Sequence, residues 1–350
     1  MGPVDQNNAS TAMELTEDEA ELYDRQIRLW GVESQKRLRA TKILLIGVEG
    51  VGAEIAKNII LSGVKSVCLL DSGVVTKEDV NTAQFLAPHE DIGKNRAKSS
   101  EARAQNLNPN VEVTSNETKV DEISEEFVHG FDVVIATGCN PNQLIKIDDF
   151  CRSKKSGEPI KFFTADVFGM FGYAFADLQQ YKWFKEKSLD EEIVSYSSLK
   201  EVLNIDLKAD EEFKKIAIKN PAYLLFLVLQ NFHKTQGRYP LPEHRTEDIE
   251  LLKSARSSVL DSLTEDPVTA LPDEYFTNVF SKLAPTCAIT GGIVCQEVTA
   301  AISQKQVLFN NMFLFSPVTH IGYFFKALPT SATVETKSNI TNIEMVDEIL

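Results

Sequence analysis

Residues 42–63 read KILLIGVEGVGAEIAKNIILSG. Ile43–Ile46 is a short apolar run suited to a buried strand, Gly47 supplies a turn, and Val51–Leu61 repeats apolar residues at helical spacing. A second strand, Ser66–Leu70, follows and ends in Asp71. Strand, glycine turn, helix, strand and terminal acid form the opening of a nucleotide-binding βαβ unit.

Gly47, Gly50 and Gly52 would let a phosphate approach the amide groups of a helix N-terminus. Asp71, nineteen residues beyond Gly52, is placed to hold ribose hydroxyls. The spacing is G-x-x-G-x-G rather than G-x-G-x-x-G, and Glu49 stands where a phosphate would press closest. A carboxylate about 4 Å from a phosphate costs roughly 4 kcal/mol per unit charge at an effective dielectric of 20. A basic neighbour or an outward rotamer would relieve that cost. The glycines therefore serve either a degenerate nucleotide pocket or only the turn and its packing. A loop built and then disabled suits a chain that serves a partner's chemistry.

Working outward, further strands are expected at Val111–Thr114, Asp132–Ala136 and Lys161–Ala165, then a glycine-studded strand from Gly169 to Asp177. Helices are expected at Gly93–Leu107 and Gln143–Cys151. The alternation predicts an α/β fold, a doubly wound, mainly parallel Rossmann-like sheet. Upstream, Thr16–Ala40 reads as helical pieces around Gly31, opened by a Thr16/Glu19 capping box. Tyr23, Ile27 and Trp30 share one helical face, and Arg25 points away from it.

The domain reading is a disordered N-terminus (1–15), the first part of the Rossmann-like domain (16–177), a mostly helical insertion (178–281), a closing helix and strands (282–330) and a polar tail (331–350). Within the insertion, PAYLLFLVLQNFH (Pro221–His233) is apolar on nearly every face, and its length favours a buried helix over a membrane or partner helix. Pro285–Ser303 reads as a close-packed helix carrying Gly291-Gly292; Asn311–Ser316 and Tyr323–Leu328 read as strands.

A net charge of −15 argues against a nucleic-acid footprint. No apolar run reaches the roughly 20 residues of a membrane span, and the N-terminus lacks a signal-peptide core. Cys68, Cys139, Cys151, Cys287 and Cys295 include no C-x-x-C pair, which fits a reducing compartment and inert buried thiols. The five His residues have no metal-ligand spacing.

YDRQIRLWG (23–31), GVEGVGAEIAKNIILSGVKSVCLLD (47–71), DIGKNRAKSSEARAQNLNP (91–109) and GGIVCQEV (291–298), in this order, resemble the adenylating enzymes that activate ubiquitin-like proteins. The resemblance covers about Leu15 to Leu328. It implies adenylation of a modifier's C-terminal glycine with ATP and Mg²⁺, then transfer to a catalytic cysteine as a thioester. Eukaryotic members pair an active with an inactive half. The active half's G-x-G-G-x-G is interrupted here by Glu49. Its N-x-x-R-Q-F pattern becomes Asn81-Thr82-Ala83-Gln84-Phe85, and its Mg²⁺ aspartate falls in Thr137-Gly138-Cys139-Asn140. The zinc-binding C-x-x-C pairs and the catalytic-cysteine segment are missing.

The resemblance therefore implies the inactive half, with Arg25 reaching across the dimer to ATP and Arg28 as a secondary candidate. ATP and Mg²⁺ would be bound mainly by the partner, with no metal in this chain. The implied partners are an obligate large catalytic subunit, a SUMO-type modifier and, indirectly, its conjugating enzyme; nucleic acid and membrane are not expected. Chain length, VSYSSLKEVLNIDL (194–207) and the NMFLFS ending favour SUMO over a Nedd-type modifier. Nuclear residence is implied, with the cytoplasm as a second location. The rival readings are a free-standing NAD-dependent oxidoreductase, for which no His or Tyr–Lys catalytic set is evident, and a pure scaffold.

Overall fold

The computed structural model describes residues 15–184, 191–306 and 308–327. The N-terminal and C-terminal tails expected from sequence lie outside the described residues, apart from Leu15. Among the described residues ten strands are formed: β1 (Lys42–Ile46), β2 (Ser66–Leu70), β3 (Glu112–Asn116), β4 (Val133–Ala136), β5 (Lys161–Phe168), β6 (Phe171–Asp177), β7 (Gln180–Phe184), β8 (Glu191–Ser195), β9 (Met312–Phe315) and β10 (Gly322–Phe325). Eight of them make one sheet in the order β10-β9-β6-β5-β4-β1-β2-β3. From β5 to β3 every pairing is parallel; β6, β9 and β10 are added antiparallel. The doubly wound, mainly parallel fold is as expected.

The period-two geometry of β1 divides the interior. Ile43 and Leu45 point into one core, with the helices Gly50–Leu61 and Ala284–Ser303; Leu44 and Ile46 point into the other. The second core is shared with the helix Pro221–Gln236, capped at its start by Asn220 and ended by Gly237 in the left-handed region. Tyr173 of the sheet meets Phe226 of that helix edge-on, with ring centroids 5.0 Å apart. The apolar run in the insertion is thus a buried helix whose core is continuous with the sheet.

Two details differ from the sequence reading. The segment after Leu178 opens with an antiparallel β7–β8 hairpin before turning helical. Each strand is only five residues long, too short to stand out beside charged neighbours. The helix Ala284–Ser303 has 20 residues and is apolar enough to cross a membrane, which corrects the statement that no segment reaches that length. Of its apolar window, 72% is buried inside the protein, so it is a core helix. A Cβ on Gly291 would come within 2.9 Å of Glu54 Cβ, which is the close helix crossing expected there.

A buried acid pair ties the insertion to the sheet. Asp148 Oδ2 accepts the Leu199 amide at 2.7 Å, and Asp148 shares a hydrogen bond with Asp177. Arg152 donates to Asp177, with Nη2 3.0 Å from Oδ1, and to the Tyr196 carbonyl. Burial first, and then the charge of Asp177, pushes the Asp148 carboxyl up to about 9. The folded chain therefore holds a proton that the unfolded chain releases near the ordinary value of about 4. That contribution is full below about 4 and is lost as pH rises toward 9. Asp148→Asn, which keeps an acceptor for Leu199 and a donor for Asp177, is expected to flatten the fall in stability between pH 5 and 9. Urea unfolding across that range checks it, and parallel curves for the two proteins would refute it.

Candidate functional site

The strand order reverses direction between β1 and β4, so the crevice at their C-terminal ends is the topological switch point. Gly47 leaves β1 with φ +82°, and a Cβ there would lie 2.2 Å from the Thr137 carbonyl oxygen after β4. A Cβ on Gly52 would lie 2.1 Å from the Gly47 carbonyl oxygen. Both glycines are thus demanded by packing alone, whatever the loop binds. Gly50 faces Ala83, at 2.6 Å from its would-be Cβ, so the residue in the arginine position of the N-x-x-R-Q-F pattern is packed onto the loop.

Asp71 ends β2 as expected, but its carboxylate is fully engaged. Oδ2 accepts the Val48 amide at 2.9 Å, and Oδ1 accepts the Gly73 amide at 2.7 Å. Arg96 Nη1 donates to both oxygens, at 3.0 and 2.9 Å. Arg96 begins the helix Arg96–Gln105 behind the cap residue Asn95. Its other nitrogens donate to Asp79 Oδ2, at 3.2 and 3.1 Å, and to the Val74 carbonyl. A ribose would have to displace Arg96 to reach Asp71.

Glu49 does have basic neighbours. Its Oε1 lies 3.9 Å from Arg96 Nη1, and its Oε2 lies 3.9 Å from Lys282 Nζ. Lys282 also pairs with Asp166 at the end of β5 and lies 5.1 Å from the centroid of the Phe168 ring. Burial pushes the Glu49 carboxyl above its usual value, while Lys282 and Arg96 pull it back. Against its own burial, the Asp166 and Glu49 carboxylates hold the Lys282 ammonium above its usual range. Two cavities, of about 320 and 270 Å³, flank this cluster, and Glu49, Arg96 and Gly138 line both.

Four carboxylates, Glu49, Asp71, Asp79 and Asp166, therefore face two cations. That balance repels a polyphosphate, and the residues present do not fit ATP. In the stretch Thr137–Asn140, which the resemblance matched to the active half's Mg²⁺ aspartate, Cys139 is buried, with burial pushing its thiol far up, and Asn140 caps the helix Pro141–Ser153. Cys151, Cys287 and Cys295 are buried and Cys68 half-buried, and burial raises all four thiols, Cys287 to about 12. Nucleophilic catalysis needs the opposite shift.

Arg25 is not brought to this pocket. It lies on the exposed face of the helix Asp24–Trp30 and makes no hydrogen bond or ion pair among the described residues. Its neighbour Gln26 donates to the Leu61 carbonyl, and Tyr23 is buried against Gly63 with its hydroxyl accepting from Asn108. The Arg25 helix is thus anchored at the C-terminal end of Gly50–Leu61, about 16 Å along that helix from the glycine loop. Arg28 is engaged by Asp24 at 2.9 Å. Leu29, one turn beyond Arg25, is 77% exposed.

Sequence reading missed Arg96, Asp79, Lys282 and Asp166. Arg96 had a local signal, a basic residue directly behind a helix cap in the quoted NRA stretch. Lys282 had none, because it reaches the loop only through the fold.

A Rossmann-like sheet with a glycine loop at its switch point, continued by β-α units and closed by β9 and β10, defines the class: the chain matches the ThiF family over residues 23–336 and belongs to it. It is similar to SUMO-activating enzyme subunit 1 of Homo sapiens and of Bos taurus, each 40% identical over 327 residues, covering 86% of this chain and 93% of the relative. The same protein of Rattus norvegicus is 40% identical over 334 residues, covering 88% and 94%.

Proposed function

We propose that this chain is the regulatory, non-catalytic subunit of a heterodimeric SUMO-activating enzyme. In that assembly the large subunit holds ATP and Mg²⁺, adenylates the C-terminus of SUMO and takes it onto its own cysteine. The observation that carries the reading is the contrast between two sites: the chain's own loop is closed by ion pairs, while Arg25 stands exposed and, among the described residues, unengaged, far from that loop. A guanidinium so placed can meet phosphate only on another molecule, and its planar fork suits that contact better than lysine. Exposed Leu29 beside it would be covered by the same partner.

The names of the relatives favour SUMO over a Nedd-type modifier. The NAD-dependent alternative is disfavoured by Arg96 on the ribose-binding position; tight NAD binding by the isolated chain would revive it. The segment 178–281 is proposed to shape the modifier-binding canyon, and crosslinks from SUMO confined to the large subunit would count against that. Nuclear residence belongs to the same proposal.

The test is SUMO-dependent ATP–pyrophosphate exchange by this chain alone and mixed with the large subunit of a SUMO system. No exchange alone and strong exchange on mixing is expected. Exchange by the chain alone would overturn the non-catalytic reading, and none in the mixture would overturn the pairing.

A further inference from the structure

The nucleotide loop is filled from within. Glu49 occupies the cap position of the helix Gly50–Leu61, yet its side chain makes no cap hydrogen bond. It projects instead between Arg96 and Lys282, with one carboxylate oxygen 3.9 Å from each. Helix N-terminal amides attract anions, and Arg and Lys are the side chains that bind phosphate. Here they converge from three separate parts of the chain on one point, and the anion at that point is the chain's own carboxylate. Glu49 lines both of the cavities on either side, together with Arg96 and Gly138.

We infer that Glu49 is a tethered substitute for a phosphate group: it takes the place between Arg96 and Lys282 that a phosphate would need and excludes a free polyphosphate anion. The site beneath it is a latent anion site. Asp71, Asp79 and Asp166 remain after Glu49 is removed, so recovered binding should be modest and aided by Mg²⁺. This inference concerns the chain by itself and does not depend on the proposed partner.

The experiment is calorimetric titration of the full chain and of Glu49→Gly and Glu49→Gln with pyrophosphate and with ATP, each with Mg²⁺. The wild-type chain should give no binding at millimolar ligand. Removing one negative charge about 4 Å from the anion should tighten binding by about tenfold or more in Glu49→Gly. Glu49→Gln, which keeps the shape, should show a smaller gain and serves if the glycine variant does not fold. Adding Lys282→Ala to either variant should abolish the gain. Equal binding by wild type and variants, silence from both folded variants, or a gain that survives Lys282→Ala would each overturn the inference. Because no partner or SUMO is present, these outcomes are independent of the exchange assay.

Discussion

Arg25→Ala is expected to lower SUMO-dependent ATP–pyrophosphate exchange by the assembled complex roughly ten- to a hundredfold. One charge-assisted hydrogen bond to phosphate is worth about 1.5–3 kcal/mol, and each 1.4 kcal/mol is a factor of ten. The change should not weaken the fold, because Arg25 is exposed and has no partner among the described residues. The melting temperature of the isolated chain should match wild type. Arg25→Lys should recover part of the loss, since it restores charge without the planar fork. Arg28→Ala should matter less, because Arg28 is already paired with Asp24 on an exposed helix face. If Arg25→Ala leaves exchange unchanged with both subunits assembled, Arg25 does not meet ATP and the chain is a scaffold.

This pair of sites also shows which parts of the molecule were legible before the structure. The opening βαβ unit was readable because every element of it is local. An apolar run, a glycine, a helical repeat and a second run at Ser66–Leu70 lie within thirty residues, and β2 has those bounds. The Thr16/Glu19 capping box was readable for the same reason and is formed. Helix ends were less so: the expected Gly93–Leu107 shrinks to Arg96–Gln105 because Gly93 turns with φ +91° and Asn95 is the cap.

The disabling of the loop was visible in Glu49, but the means were not. A carboxylate in a phosphate loop could be swung outward or neutralised, and the choice depends on which cations the fold delivers. Arg96 lies 47 positions away and Lys282 lies 233. Ion pairs over such separations leave no periodic trace in a sequence. The expected Lys161–Ala165 strand also stopped short of Asp166, the residue that holds Lys282, because β5 continues to Phe168.

The same network makes Arg96 a point of failure in the fold. Its guanidinium is buried, at 7% exposure, and joins β2 through Asp71, the segment before Asn81 through Asp79, and the loop through Glu49. Arg96→Ala leaves Asp71 and Asp79 buried without a cation and Glu49 with Lys282 alone. Breaking a buried ion pair from one side typically costs about 3–5 kcal/mol, because the remaining charge is stranded rather than because the pair was strongly favourable. Urea unfolding of the full chain is expected to show a loss of about that size. Adding Asp71→Asn should recover part of the loss at neutral pH, because it removes one stranded charge while keeping an acceptor for the Val48 and Gly73 amides. Lysine at 96 should recover charge but not the simultaneous contacts with Asp71 and Asp79. A cost below about 1 kcal/mol, the range of exposed pairs, would mean that water replaces the guanidinium and that the loop is closed by packing around Gly47, Gly52 and Ala83 alone.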